Sequence, residues 1–164
     1  MRVAGRDIVY MDTEAIRETV LRLVRKCKTR DPFRICEKLN IAVWSKPLPE
    51  NVRGIYSKTL RRPYILINSI IDVHWQRFIC AHELGHDRLK HSLNGFHVDR
   101  SDIVRNDKYE WQANLFAVFL LLDEQFGIHV ANSAWFRDIL HEATIYRDSR
   151  RLAHVICEAM EEYI

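Results

Sequence analysis

Apolar residues recur at helical spacing in the N-terminal part of the chain. The segment from Asp12 to Lys28 places them three or four positions apart, which predicts an amphipathic helix with Asp12 or Thr13 as its cap. These apolar residues are Ile16, Val20, Leu23, Val24 and Cys27. A short second helix is predicted from Asp31 to Leu39, because Asp31 is a suitable N-cap and proline is favoured at the first helical position.

Three short segments that follow have the composition of strands. They run from Ile41 to Trp44, from Gly54 to Ser57 and from Tyr64 to Asn68. Lys46 to Pro49 ends the first, and a polar turn from Lys58 to Pro63 separates the other two. We expect these segments to form a small three-stranded sheet, mixed or antiparallel.

The rest of the chain has a mainly helical pattern. A long helix is predicted from Ile71 to about Leu89, a loop from Leu93 to Asp107, and a helix from Lys108 to Leu122 that is apolar on most sides and therefore central. The tail from Glu124 to Ile164 predicts two or three helices, of which Ser149 to Tyr163 is the clearest. Together these elements predict an α+β fold that is mostly helical outside its sheet.

Length and composition are typical of one soluble domain. The predicted domain spans residues 1–164, with a helical pair over 1–40, the sheet and site helices over 41–123, and C-terminal helices over 124–164. The net charge of +3 requires neither a nucleic acid nor a membrane as partner. Because Met1 to Val20 is too polar for a signal peptide, we expect a cytoplasmic protein. The four cysteines form no C-x-x-C pair, which indicates buried thiols in a reducing compartment.

One short motif carries the candidate chemistry. His82 and His86 lie four positions apart in the sequence His-Glu-Leu-Gly-His, so a helix brings both imidazoles to one side, where they can bind one metal ion. Glu83 then lies near the metal without binding it, as a base that takes a proton from water must. Gly85 is unfavourable inside a helix, which indicates that another element approaches closely there.

The alternative interpretation is a pair of solvated histidines on a charged helix face. The apolar residues from Phe78 to Ala81 argue against it, because they indicate that this part of the helix is buried. Buried histidines need polar partners, and a metal ion supplies one.

A catalytic zinc site needs a third protein ligand, and Glu110 is the candidate. It is the only acidic residue between Lys108 and Leu122, near the start of the predicted central helix. Asn114 follows four residues later on the same face, where its amide can hold a ligand histidine through the other ring nitrogen. The alternative is that Glu110 only favours the dipole of the first helical turn.

These motifs resemble those of the ImmA/IrrE family of metallopeptidases. The resemblance extends from about Gly54 to Asp123 and rests on H-E-L-G-H, followed by E-x-Q-A-N-x-F-A and a leucine run. It implies a zincin-like, gluzincin-type site with zinc bound by His82, His86 and Glu110, and with the glutamate after the first histidine as base. It also implies a role in prophages, mobile elements or stress responses, often through cleavage of a helix-turn-helix repressor.

A peptidase also needs a hydrogen-bond donor for the oxyanion that develops on the scissile carbonyl, and the sequence offers three candidates. The candidates are Tyr56 on a strand before the site, His91 near the helix end and His97 in the predicted loop. Packing, capping and surface positions are the alternative roles for these residues.

Two classes of function remain open at this point. The first is an intracellular zinc endopeptidase that hydrolyses one peptide bond in a regulatory protein, and a toxin or other hydrolase would share its chemistry. The second is a module that binds a repressor or another partner without cleaving it. Manganese, iron or cobalt also suit two imidazoles and a carboxylate. The oligomeric state is left open by the sequence.

Overall fold

The computed structural model describes residues 4–59, 62–91, 96–100 and 108–122, with eight elements of secondary structure. The helices in this part of the chain are α1 (Ala4–Cys27), α2 (Pro32–Lys38), α3 (Val73–Arg88) and α4 (Lys108–Leu121). The strands are β1 (Ala42–Lys46), β2 (Val52–Thr59), β3 (Arg62–Asn68) and β4 (Phe96–Arg100). The predicted tail helices lie outside the described residues, so the domain boundaries stay predictions.

Two aspartates define where the helices begin. Asp31 accepts a hydrogen bond from the backbone N–H of Phe33 at 3.0 Å, which confirms the predicted N-cap of α2. Asp72 does the same for α3, because its carboxylate accepts from the N–H of His74 at 2.8 Å. These side chains satisfy donors that a helix cannot pair internally.

The four strands form one mixed sheet in the order β1-β3-β2-β4. β1 runs parallel to β3, whereas β2 runs antiparallel to both β3 and β4. The α+β class and the mixed sheet are therefore confirmed, with a fourth strand added to the three predicted. The loop predicted from Leu93 to Asp107 is wrong for Phe96–Arg100, which pairs with β2; here apolar Phe96 and Val98 alternate with polar residues, as in a strand.

Helix α4 forms the centre of the described core, as its apolar pattern predicts. It packs against α1 and α3, and α3 packs in turn against β2 and β3. A Cβ atom on Gly85 would lie 3.1–3.2 Å from side-chain atoms of Phe116. The close approach that this glycine predicts is thus confirmed, and α4 is the element that makes it.

The link between α1 and α2 holds the C-terminal end of α4. Arg30 Nη1 donates to the carbonyl oxygens of Phe119 and Leu122, each at 2.9 Å. The last carbonyls of a helix have no partner within it, so the guanidinium caps them. Val20 and Leu23 of α1 are buried in the same core.

Two expectations from composition can be compared with the described part of the chain. Cys27, Cys36 and Cys80 are buried and free, as predicted. Within the described residues, no helix combines the length and the apolar character that crossing a bilayer requires.

Candidate metal centre

Three donor side chains from two helices converge on one point. His82 and His86 lie one turn apart on α3, and Glu110 belongs to the first turn of α4. The Nε2 atoms of the two histidines are 3.1 Å apart. The carboxylate oxygens of Glu110 lie 3.3 Å from Nε2 of His82 and 3.4 Å from Nε2 of His86. Both imidazoles are buried, while Glu110 is partly exposed.

These separations fit a tetrahedral ion. Ligands that lie ~2.0–2.1 Å from a tetrahedral centre are about 3.3–3.4 Å from one another. The Nε2 atoms of the two histidines are 3.1 Å apart, and each lies 3.3–3.4 Å from a different oxygen of Glu110, which is close enough for both imidazoles and the carboxylate to bind the same ion. Among the residues that the structure describes, no fourth protein ligand joins this group. Three protein ligands are typical of catalytic metal sites, which keep one position for a non-protein ligand.

Asn114 holds the imidazole of His82 in the tautomer that can bind a cation. Its Oδ1 atom lies 2.8 Å from Nδ1 of His82. An amide oxygen only accepts hydrogen bonds, so Nδ1 carries the hydrogen and a neutral ring has its lone pair on Nε2. That lone pair faces the carboxylate of Glu110, and a cation between these two electron-rich groups would be attracted to both. The donor set thus fits a divalent metal ion.

Glu83 is fully buried on the same helix. Its carboxylate lies beneath β2, because a Cβ atom on Gly54 would be only 3.3 Å from Oε1 of Glu83. Gly54 therefore leaves the space that this carboxylate occupies. The sequence contains a signal for this role, since a glycine inside a strand marks a close approach by another group.

The structure argues against Tyr56 as an oxyanion donor. Its hydroxyl donates to Oδ1 of Asp87 at 2.6 Å, so its hydrogen is already engaged. Burial, followed by this hydrogen bond, raises the pKa of Tyr56 above its usual range. Asp87 also forms an ion pair with Arg88. The hydrogen bond of Tyr56 therefore links β2 to the end of α3.

Both ring nitrogens of His91 also have partners, and its role as an oxyanion donor stays a prediction. Its Nδ1 atom lies 2.9 Å from Nδ1 of His86, and its Nε2 atom lies 2.9 Å from Oε1 of Gln112. Gln112 was not predicted as a site residue, although a polar residue inside an otherwise apolar helix is a usable signal. His97 lies in β4 opposite Tyr56, and its predicted role stays a prediction.

Comparison with known proteins gives a consistent assignment. The peptidase family described as the IrrE N-terminal-like domain matches residues 36–148. A protein of Bacillus phage phi105, named uncharacterized immunity region protein 2, is 38% identical over 109 residues, which cover 66% of this chain and 69% of that protein. Metallopeptidase ImmA of Bacillus subtilis is 30% identical over 118 residues, or 72% of this chain and 69% of its own length. The chain therefore belongs to the ImmA/IrrE family of metallopeptidases.

Proposed function

We propose that the protein is an intracellular zinc endopeptidase that cleaves one peptide bond in a regulatory protein. The observation that carries this proposal is the convergence of His82, His86 and Glu110: the two Nε2 atoms are 3.1 Å apart, and each lies 3.3–3.4 Å from one oxygen of the carboxylate. These three residues would hold the ion. Two imidazoles and one carboxylate with an open corner are the ligand set of zinc peptidases of the thermolysin type.

Glu83 is the proposed general base. When bound, zinc supplies Lewis acidity that polarises the scissile carbonyl and makes water a better acid. Glu83 takes the proton from the attacking water and passes it to the leaving amine. Its full burial keeps bulk water away from the carboxylate, and the absence of a side chain at Gly54 leaves room for it next to β2.

The proposed substrate is a helix-turn-helix repressor of a prophage or mobile element. Two observations support it: the family resemblance implies such substrates, and the relative from phage phi105 is named after an immunity region. The chain itself is then a protein-binding enzyme that contacts its DNA-binding substrate and has no need to bind DNA.

The metal content of the purified protein tests the ligand assignment. Elemental analysis is expected to find one zinc ion in the wild-type protein and little in His82→Ala or Glu110→Gln. His74→Ala is the matched control, because His74 is an exposed histidine of the same helix and should leave the metal in place. A folded wild-type protein without metal would contradict the proposal.

Cleavage is tested against DNA-binding proteins encoded beside the gene for this chain. Co-expression followed by mass spectrometry is expected to find one new N-terminus with the wild-type protein. Glu83→Gln should retain zinc and lose cleavage, because its amide cannot take a proton. Cleavage at the wild-type rate by Glu83→Gln would refute the base assignment. A partner that is bound but stays intact would instead favour the non-catalytic binding module.

A further inference from the structure

His91 lies beside His86 because of the way α3 ends. Lys90 adopts a left-handed backbone conformation with φ of 56°. The backbone N–H of His91 donates to the carbonyl of His86 at 3.1 Å, and that of Lys90 to the carbonyl of Asp87 at 3.3 Å. This pair of bonds is the Schellman arrangement, which turns the chain back at a helix end. The turn brings the rings of His91 and His86 to a centroid distance of 5.0 Å.

The hydrogen bonds of His91 have a defined direction. The amide oxygen of Gln112, 2.9 Å from Nε2 of His91, only accepts, so this Nε2 carries the hydrogen. A neutral His91 then has an unprotonated Nδ1, which accepts from Nδ1–H of His86 at 2.9 Å. His86 consequently has its lone pair on Nε2, the atom that faces Glu110.

We infer that His91 and Gln112 are positioning residues that hold His86 in the tautomer able to bind the metal, an inference that rests on the proposed function. If Nδ1 of His86 lost its acceptor, the hydrogen could move to Nε2. There the carboxylate of Glu110, 3.4 Å away, would accept it. A metal ion would then have to displace this hydrogen, which lowers the affinity of the site.

Helix α4 thereby orients both imidazoles of α3. Asn114 contacts His82 directly, and Gln112 acts on His86 through His91. Partners of ligand histidines usually contribute through this kind of hydrogen bond. The chain of hydrogen bonds from Gln112 through His91 to His86 is called the relay below. It explains why an amide side chain occurs at position 112 of α4.

The first test is His91→Phe. Phenylalanine keeps a flat ring to stack on Tyr109, where the His91 ring lies at a centroid distance of 4.4 Å, but it removes both hydrogen bonds. We expect the Zn²⁺ affinity, measured by competition with a chelator, to fall by ~10–100-fold. His91→Gln again offers an acceptor and a donor and should recover part of this loss. His74→Phe, the same replacement at an exposed histidine of α3, should keep wild-type affinity.

The second test observes the relay directly by NMR of the zinc-loaded protein with isotope-labelled histidine. We expect a scalar coupling between the two Nδ1 atoms of His86 and His91 across their hydrogen bond, and a hydrogen on Nε2 of His91. Gln112→Met, which removes the acceptor at the far end, should weaken this coupling.

The outcomes separate the relay from the proposed function. Wild-type zinc affinity in folded His91→Phe, or a His91 ring protonated only on Nδ1, would overturn the relay and leave the metallopeptidase proposal intact. A wild-type protein that binds no zinc would overturn the proposed function itself.

Discussion

The replacement Gly54→Ala tests how closely β2 lies over the proposed base. A Cβ atom at this position would be 2.5 Å from Cγ2 of Ile79 and 3.3 Å from Oε1 of Glu83. Carbon atoms make favourable contacts at ~3.5–4.0 Å, so the methyl group and Ile79 must separate by about 1 Å. Ile79 is buried and branched at Cβ, so its methyl has no other well-populated rotamer to adopt. The backbone of β2 or α3 must therefore shift.

Two quantities should change in this variant. The free energy of unfolding is expected to fall by about 1–3 kcal/mol, the usual cost of forcing a methyl group into a packed core. The backbone shift also moves the Glu83 carboxylate, and because a misplacement of ~1 Å costs about 10²-fold in rate, cleavage is expected to slow by at most that factor. Urea unfolding measures the first quantity, and initial rates on the identified substrate measure the second. Zinc content should stay at the wild-type level, because the nearest atoms to position 54 belong to no proposed ligand.

A double variant separates the two contacts. Ile79→Ala removes Cγ2, so Gly54→Ala should destabilise the protein less in that background than in the wild type. The 3.3 Å contact with Oε1 of Glu83 persists, so cleavage by the double variant should be faster than by Gly54→Ala but slower than by Ile79→Ala. If Gly54→Ala alone unfolded like the wild type and cleaved at the wild-type rate, β2 would not lie this close to the base, and the reasoning would be refuted.

Three further predictions concern residues away from the metal ligands. Tyr56→Phe removes the donor to Asp87 and should lower the free energy of unfolding by ~1–3 kcal/mol in urea titrations. Because the folded-state pKa of Tyr56 is raised, its stabilising effect is complete below the unfolded value of ~10 and is lost as pH rises above it, so Tyr56→Phe should lose less stability at alkaline pH. Lys28 has a φ of 53° after α1, so Lys28→Gly should raise the free energy of unfolding by about 0.5–1 kcal/mol, and an unchanged urea midpoint would contradict this. Burial, then the neighbouring Cys36, raises the pKa of the Cys80 thiol, so iodoacetamide should label it only after unfolding, as peptide mapping would detect.

Helical spacing and apolar surroundings predicted four of the side chains that meet at the site. His82 and His86 share a face because they are four residues apart, and Glu110 and Asn114 share one for the same reason. The apolar surroundings of both pairs indicated burial, and two buried polar stripes on neighbouring helices tend to satisfy each other. Gly85 even indicated the close contact between the two helices.

The remaining features depend on contacts between distant parts of the chain. β4 has the alternating apolar and polar residues of a strand, but a five-residue pattern does not specify which edge it pairs with, and that edge is provided by β2. The roles of Gly54 and Gln112 depend on what faces them across an interface. His91 was considered as a cap or an oxyanion donor, because its approach to His86 requires the left-handed turn at Lys90, an uncommon conformation for lysine.

The segment that matches the family is stabilised by Arg30, a residue that precedes it in the sequence. The match begins at residue 36, yet the last carbonyls of α4 are held from position 30, and α1 covers the same helix. A truncated protein that started at residue 36 would keep every proposed ligand but would expose the end and one side of the helix that carries Glu110. A minimal peptidase cut from this chain therefore has to include α1 and Arg30, which lie before the first residue of the family match.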